Sequence, residues 1–195
     1  MRRAIALALP AVLAFAGVAE AHPGLPHSHA FASGFLHPLG GLDHLLAMVA
    51  IGLWAGLAGG RAMWLWPASF VGAMVLGGAL GMAGLSMPLV EQGIVASVIV
   101  IGLAAALAVR PSLAVGMGLA ALAGLFHGHA HGTEIPAAAS GLAYAGGFTL
   151  ATVLLHGAGL GLTVIAGRMT QPLVVRAAGG LTAMAGVVLA ARAFI

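Results

Sequence analysis

The chain has 195 residues, 62% of them hydrophobic and 6% charged, with a mean hydropathy of +1.12. No soluble domain of this size carries so little polar surface, so the class is integral membrane. The formal charge of +3 comes from scattered arginines, which leaves nucleic-acid binding nothing to rest on. There is no lysine, hence no Walker A motif, no P-loop nucleotide hydrolysis and no Schiff-base chemistry. There is no cysteine, hence no disulfide and no thiolate metal site.

Residues 1–21 read as a cleavable signal peptide. Arg2 and Arg3 give a basic start, Ala4 to Val18 an apolar core broken by Pro10, and Ala19-Glu20-Ala21 an A-x-A cleavage site. The mature chain is then expected to begin at His22, with 22–35 as an extracytoplasmic, histidine-containing lead-in. The remaining 36–195 read as a compact all-α bundle of six transmembrane helices at 36–58, 62–84, 92–109, 112–132, 139–166 and 173–194, each near the ~20 residues that cross a bilayer. With the mature N-terminus outside, Arg61, Arg110, Arg168 and Arg176 fall on the cytoplasmic side, and only Arg192 disagrees. Glu91 and Glu134 fall outside. The expected location is the bacterial cytoplasmic (inner) membrane.

Small residues recur every four positions: Gly52, Gly56 and Gly60 in the first span; Gly116, Ala120, Gly124, Gly128 and Gly132 in the fourth; Gly157 and Gly161 in the fifth. Such rows let helix backbones approach closely in lipid. Trp54, Trp64 and Trp66 flank the first turn between spans, as an interfacial aromatic belt would.

The first span opens with HPLGGLDHLLAM, where Pro38 suits a first helical turn. His37, Gly41, His44 and Met48 share one face of a regular helix. Asp43 lies off that face and joins it only if Gly40-Gly41 loosens the turn. From there a carboxylate can orient a ligating imidazole. The fourth span ends in FHGHAHGTE, with three histidines and a glutamate inside eight residues. His127, His131 and Glu134 fall at about 0°, 40° and −20° around a helix, whereas His129 falls near 200°. The first span runs inward and carries its motif at its start; the fourth runs outward and carries its motif at its end. Both motifs therefore reach the outer part of the membrane, which favours one shared site.

In the fifth span Thr149, Thr152, His156 and Thr163 make a polar stripe, with His156 about 25 Å in, a later station, a gate or a packing histidine. After cleavage His22 carries an α-amine beside its imidazole, and His27 and His29 can extend it into a metal-collecting arm. Imidazole and carboxylate without sulfur suit nickel, cobalt, zinc, copper or iron.

HPLGGLDH followed by FHGHAHGTE resembles the HupE/UreJ family of bacterial nickel/cobalt permeases. The family pattern is His-x5-Asp-His in the first span and FHG-x-AHG-x-E in the fourth, matched here at every fixed position. The larger nickel/cobalt transporter family has His-x4-Asp-His, one residue shorter, so its assignments do not carry over by position. The resemblance implies a permease, not an enzyme, that brings in nickel for hydrogenase or urease, or cobalt for cobalamin synthesis. It implies that His37, Asp43, His44, His127, His131 and Glu134 are required. No permanently bound cofactor is expected. The partners are the divalent metal substrate, the bilayer and, compatibly, further copies of the chain in a homo-oligomer, with neither nucleotide nor nucleic acid. The rival classes are a membrane haem protein, a metal-dependent accessory protein that binds without transport, and a proton channel.

Overall fold

A computed structural model describes residues 30–135, 140–169 and 172–193. The expected signal peptide and His22, His27 and His29 lie outside the described residues. Every described element is a helix: α1 (Ala30–Gly40), α2 (Leu42–Ala58), α3 (Ala62–Met82), α4 (Val90–Ala106), α5 (Leu113–Thr133), α6 (Gly141–Arg168) and α7 (Pro172–Ala193). Four of them, α3, α5, α6 and α7, are long and apolar enough to cross a bilayer. The α1–α2 pair makes a fifth span if its two bent halves are taken together. At 17 residues, α4 is a shorter apolar helix, about 26 Å long at 1.5 Å per residue against a hydrocarbon core of ~30 Å.

The first element departs from the regular helix expected over 36–58. The chain is already helical at Ala30, inside the stretch read as lead-in, and it breaks at Gly41, where α1 and α2 meet at 82°. Two consecutive glycines explain the break, since each costs a helix interior about 1 kcal/mol relative to alanine. Gly41 adopts an extended conformation (φ −95°, ψ 115°) and serves as the N-cap of α2. Pro38 consequently sits in the last turn of α1, not the first turn of a span. Pro38 and Gly34, four residues before it, are both buried.

The second half of α2 is buried on all sides, Ala50 to Ala55 without exception, which makes it the central helix. Around it stand α3, α4, α6 and α7, while α1 folds back along α6. The tightest partnership is α3 with α5. A Cβ at Gly124, Gly128 or Gly132 would overlap the backbone of Phe70, Met74 and Gly78 respectively, so the two helices meet carbonyl to glycine over successive turns. The first-span row holds at Gly52 and Gly56, which pack on α6 at His156 and Thr163. Gly60 does not belong to it: with φ +54° it forms the α2–α3 turn and faces open space. Gly157 and Gly161 also face open space, and the close approach of α6 to α2 occurs at Gly159 instead.

The aromatic belt shrinks to one residue. Trp54 and Trp66 are buried against each other, ring centroids 4.2 Å apart. Their indole N–H groups donate to the Val109 carbonyl (2.8 Å) and the Leu113 carbonyl (3.1 Å), fastening the α4–α5 connection to the α2–α3 end. Only Trp64 is exposed, at 69%. Arg176 donates to the Ala106 carbonyl at the end of α4 (2.8 Å), satisfying one of that helix's unpaired C-terminal acceptors. Arginine-bearing turns thus gather at one end of the bundle, and the histidine motifs at the other.

Candidate metal centre

Two breaks in regular structure build the centre. The Gly41 break turns the start of α2 towards the end of α5, and α5 runs out at Glu134, its C-cap. Asp43 stands in the first turn of α2, where a carboxylate opposes the positive helix end. Its Oδ1 accepts from the His44 backbone N–H (2.8 Å) and also pairs with His44 Nδ1 (2.7 Å). A carboxylate only accepts, so His44 carries its proton on Nδ1 and leaves Nε2 with a free lone pair. That Nε2 is buried and has no hydrogen-bond partner among the described residues. Asp43 therefore orients His44 through the shifted turn, while the space for that pairing depends on Gly41. A Cβ there would come within 3.0 Å of both Asp43 Oδ1 and His44 Nδ1.

The imidazoles form a file. His37 lies 4.6 Å from His131, His131 lies 4.1 Å from His44, and His44 lies 4.7 Å from His127, centroid to centroid and edge to face throughout. Glu134 stands at the exposed end of the file, its side chain 53% accessible, with Oε2 3.2 Å from His37 Nε2 and 3.6 Å from His131 Nδ1. His37, His131 and Glu134 each offer a ligand atom within 4.8 Å of the others, a spacing that a metal ion can draw together. The His131 and His37 rings hold the Glu134 carboxyl well below the usual carboxylate range, against a smaller opposing effect of partial burial. It is therefore an anion at neutral pH. At the inner end His127 is fully buried. Among the described residues neither nitrogen of His131 makes a hydrogen bond, Nδ1 having only the longer contact with Glu134, and Nδ1 of His127 has none. Buried polar atoms are nearly always paired with protein, water or an ion, so this run of free nitrogens marks where such a partner can sit.

The remaining histidines separate. His129, off the shared face as the helix angle predicts, pairs through Nε2 with the Leu85 carbonyl (2.7 Å) and ties α5 to the turn after α3. His156 is buried on α6, with both nitrogens unpaired among the described residues, and lines a cavity of about 520 Å³ with Met63, Trp64 and Pro67. Phe70 touches both His127 (5.7 Å) and His156 (5.0 Å), so an aromatic ring bridges the file to His156. The threonine stripe is mostly closed. Thr152 and Thr163 donate to their own helix at the Phe148 and Gly159 carbonyls and do not present free hydroxyls to a path.

Sequence reasoning passed over several neighbours. Phe148 packs on His131 at 4.0 Å, and Tyr144 stands 5.8 Å from His37 with a buried hydroxyl that has no hydrogen-bond partner among the described residues. Ser97 on α4 pairs with His127 Nε2 at 2.8 Å. The only available signal for Ser97 was that it is the sole hydroxyl in the α4 sequence VEQGIVASVIVIGLAAA.

Fold and site together define a multi-pass helical membrane protein with a histidine–carboxylate cluster set into one end of its bundle. The HupE / UreJ protein family matches residues 10–189. Protein HupE of Rhizobium leguminosarum bv. viciae is 42% identical over 179 residues, covering 92% of this chain and 93% of that protein. The chain belongs to the HupE/UreJ family. No solved structure matches it.

Proposed function

We propose that this protein is a six-span secondary permease or facilitated channel that carries a divalent transition metal, nickel or cobalt, inward across the bacterial cytoplasmic membrane. The sixth span in this reading is α4, completed by the turn residues that follow it, and the histidine end of the bundle faces outward. Positive charge supports that orientation, because Arg61, Arg110, Arg168 and Arg176 lie at the opposite end. The carrying observation is the file of imidazoles from Glu134 and His37 through His131 and His44 to His127, whose inner members have ring nitrogens without a hydrogen-bond partner among the described residues.

In this mechanism His22, His27 and His29 gather the metal ahead of the membrane. Glu134, His37 and His131 receive it at the mouth, where the carboxylate offsets a charge that cannot enter low dielectric unpaired. His44 and His127 take it deeper, with Asp43 fixing His44 and contributing a second negative charge. The ion then passes Phe70 to His156 and leaves toward the cytoplasm. A membrane potential of 100 mV favours inward movement of two charges by about 4.6 kcal/mol. Ligands arranged in series suit transport better than a closed cage, since each must release what it binds. The donor set is imidazole and carboxylate, which fits nickel and cobalt and lacks the thiolate that soft copper(I) prefers.

A haem reading fits the geometry poorly. A macrocycle held by two histidines lies between their rings, and neighbouring rings set edge to face 4.1–4.7 Å apart leave no room for it. Uptake of radiolabelled nickel and cobalt by cells carrying His131→Ala, His44→Ala or His127→Ala tests the proposal. Uptake at the background of cells lacking the protein is expected. Undiminished uptake at normal expression would overturn the site.

A further inference from the structure

We propose that Ser97 is a positioning residue that sets the tautomer of His127 and so leaves Nδ1 as the innermost metal-binding atom of the file. The inference rests on the transport reading for its purpose, but not for its geometry. Ser97 Oγ lies 2.7 Å from the Ile94 carbonyl oxygen. A carbonyl has no proton, so at that separation the hydroxyl must donate, and a serine has only one hydrogen to give. Back-bonding of this kind is ordinary for a helical serine. The same Oγ lies 2.8 Å from His127 Nε2 and, with its hydrogen spent, can only accept there. His127 is thereby held with its proton on Nε2 and a lone pair on Nδ1.

The fully buried His127 has no partner for that Nδ1 among the described residues, and its ring stands edge-on to His44. The arrangement is the counterpart of Asp43 and His44 with the nitrogens exchanged: a carboxylate accepts from Nδ1–H and leaves Nε2 free on one ring, and a hydroxyl oxygen accepts from Nε2–H and leaves Nδ1 free on the next. The difference in orienting group has a consequence. A hydroxyl adds no charge, so the deeper ligand is oriented without the extra electrostatic hold that a second carboxylate would place on a divalent ion. Metal is fixed in direction at His127 yet free to move on.

The test uses the full chain in detergent, with ¹⁵N-labelled histidine. The His127 resonances are assigned by their loss in His127→Gln. In the metal-free protein His127 is expected as the Nε2–H tautomer. Ser97→Ala should shift it toward a mixture or toward Nδ1–H, and Ser97→Thr, which keeps the hydroxyl, should restore it. Calorimetric titration with nickel chloride should show affinity 10- to 100-fold weaker in Ser97→Ala, the usual scale for removing an orienting partner, and recovery in Ser97→Thr. An unchanged tautomer in Ser97→Ala would overturn the assignment. A shifted tautomer with nickel affinity within twofold of wild type would overturn the positioning role. If wild-type protein binds neither nickel nor cobalt, the transport reading fails, and the tautomer shift still decides the role of Ser97 independently.

Discussion

Asp43 performs two tasks with one oxygen, and a pair of substitutions separates them. Asp43→Ala removes the acceptor for the His44 backbone N–H at the start of α2 and the partner of His44 Nδ1. The first loss resembles removal of an N-terminal cap and costs about 1 kcal/mol of stability. The second frees a His44 ring whose side chain is only 12% exposed, and loss of such an orienting carboxylate lowers metal affinity by about 10- to 100-fold, or about 1.4–2.7 kcal/mol. Asp43→Asn keeps an oxygen of similar reach but not the charge. It should recover the thermal stability almost wholly and the affinity only in part. Nickel titration and thermal unfolding on the same detergent preparations measure both. Nickel affinity of Asp43→Ala equal to wild type would mean that His44 needs no orientation by Asp43.

Gly128→Ala should destabilise the protein by about 1–3 kcal/mol, since the added methyl meets the Met74 backbone with no flexible side chain to yield; thermal unfolding checks this, and Gly157→Ala, facing open space, is the control expected to show no loss. His129→Ala should lower stability by about 1 kcal/mol through loss of the Leu85 contact while nickel affinity stays unchanged, which titration would show. Glu134→Gln tests the charge at the mouth. Because the folded-state carboxyl is held below its ordinary value of 4.5, its stabilisation is complete above pH 4.5 and is lost as pH falls through the depressed value. The stability difference between wild type and Glu134→Gln, read by thermal unfolding, should thus shrink on acidification below pH 4.5.

Much of this was legible because two periodicities did separate work. Hydrophobic runs placed the helices, and helix angle alone put His127 and His131 together and His129 apart, as the structure has them. The meeting of the two motifs followed from counting spans. What the sequence hid were consequences of three-dimensional packing. That Gly41 turns the chain by 82° instead of merely loosening it depends on α1 finding a seat on α6, where Gly34 and Gly147 admit it against Tyr144 and Phe31. Trp54 and Trp66 look like interface anchors in sequence, and they are buried because the carbonyls of Val109 and Leu113, far along the chain, receive their N–H groups. Gly157 and Gly161 follow the same four-residue spacing as Gly128 and Gly132, but spacing does not say which face of α6 meets α2. Ser97 is a single hydroxyl on a helix without any motif, and only the position of His127 gives it meaning.

In the proposed mechanism the histidine–carboxylate file conducts metal and does not merely hold it. Flux of nickel and cobalt into proteoliposomes, followed with a metal-sensitive dye inside the vesicles, tests this most directly. Saturable, metal-dependent filling by the wild type, abolished in His131→Ala and accelerated by an inside-negative potential, is the predicted result. Stoichiometric nickel binding to the purified protein with vesicle filling no faster than in protein-free liposomes would contradict it.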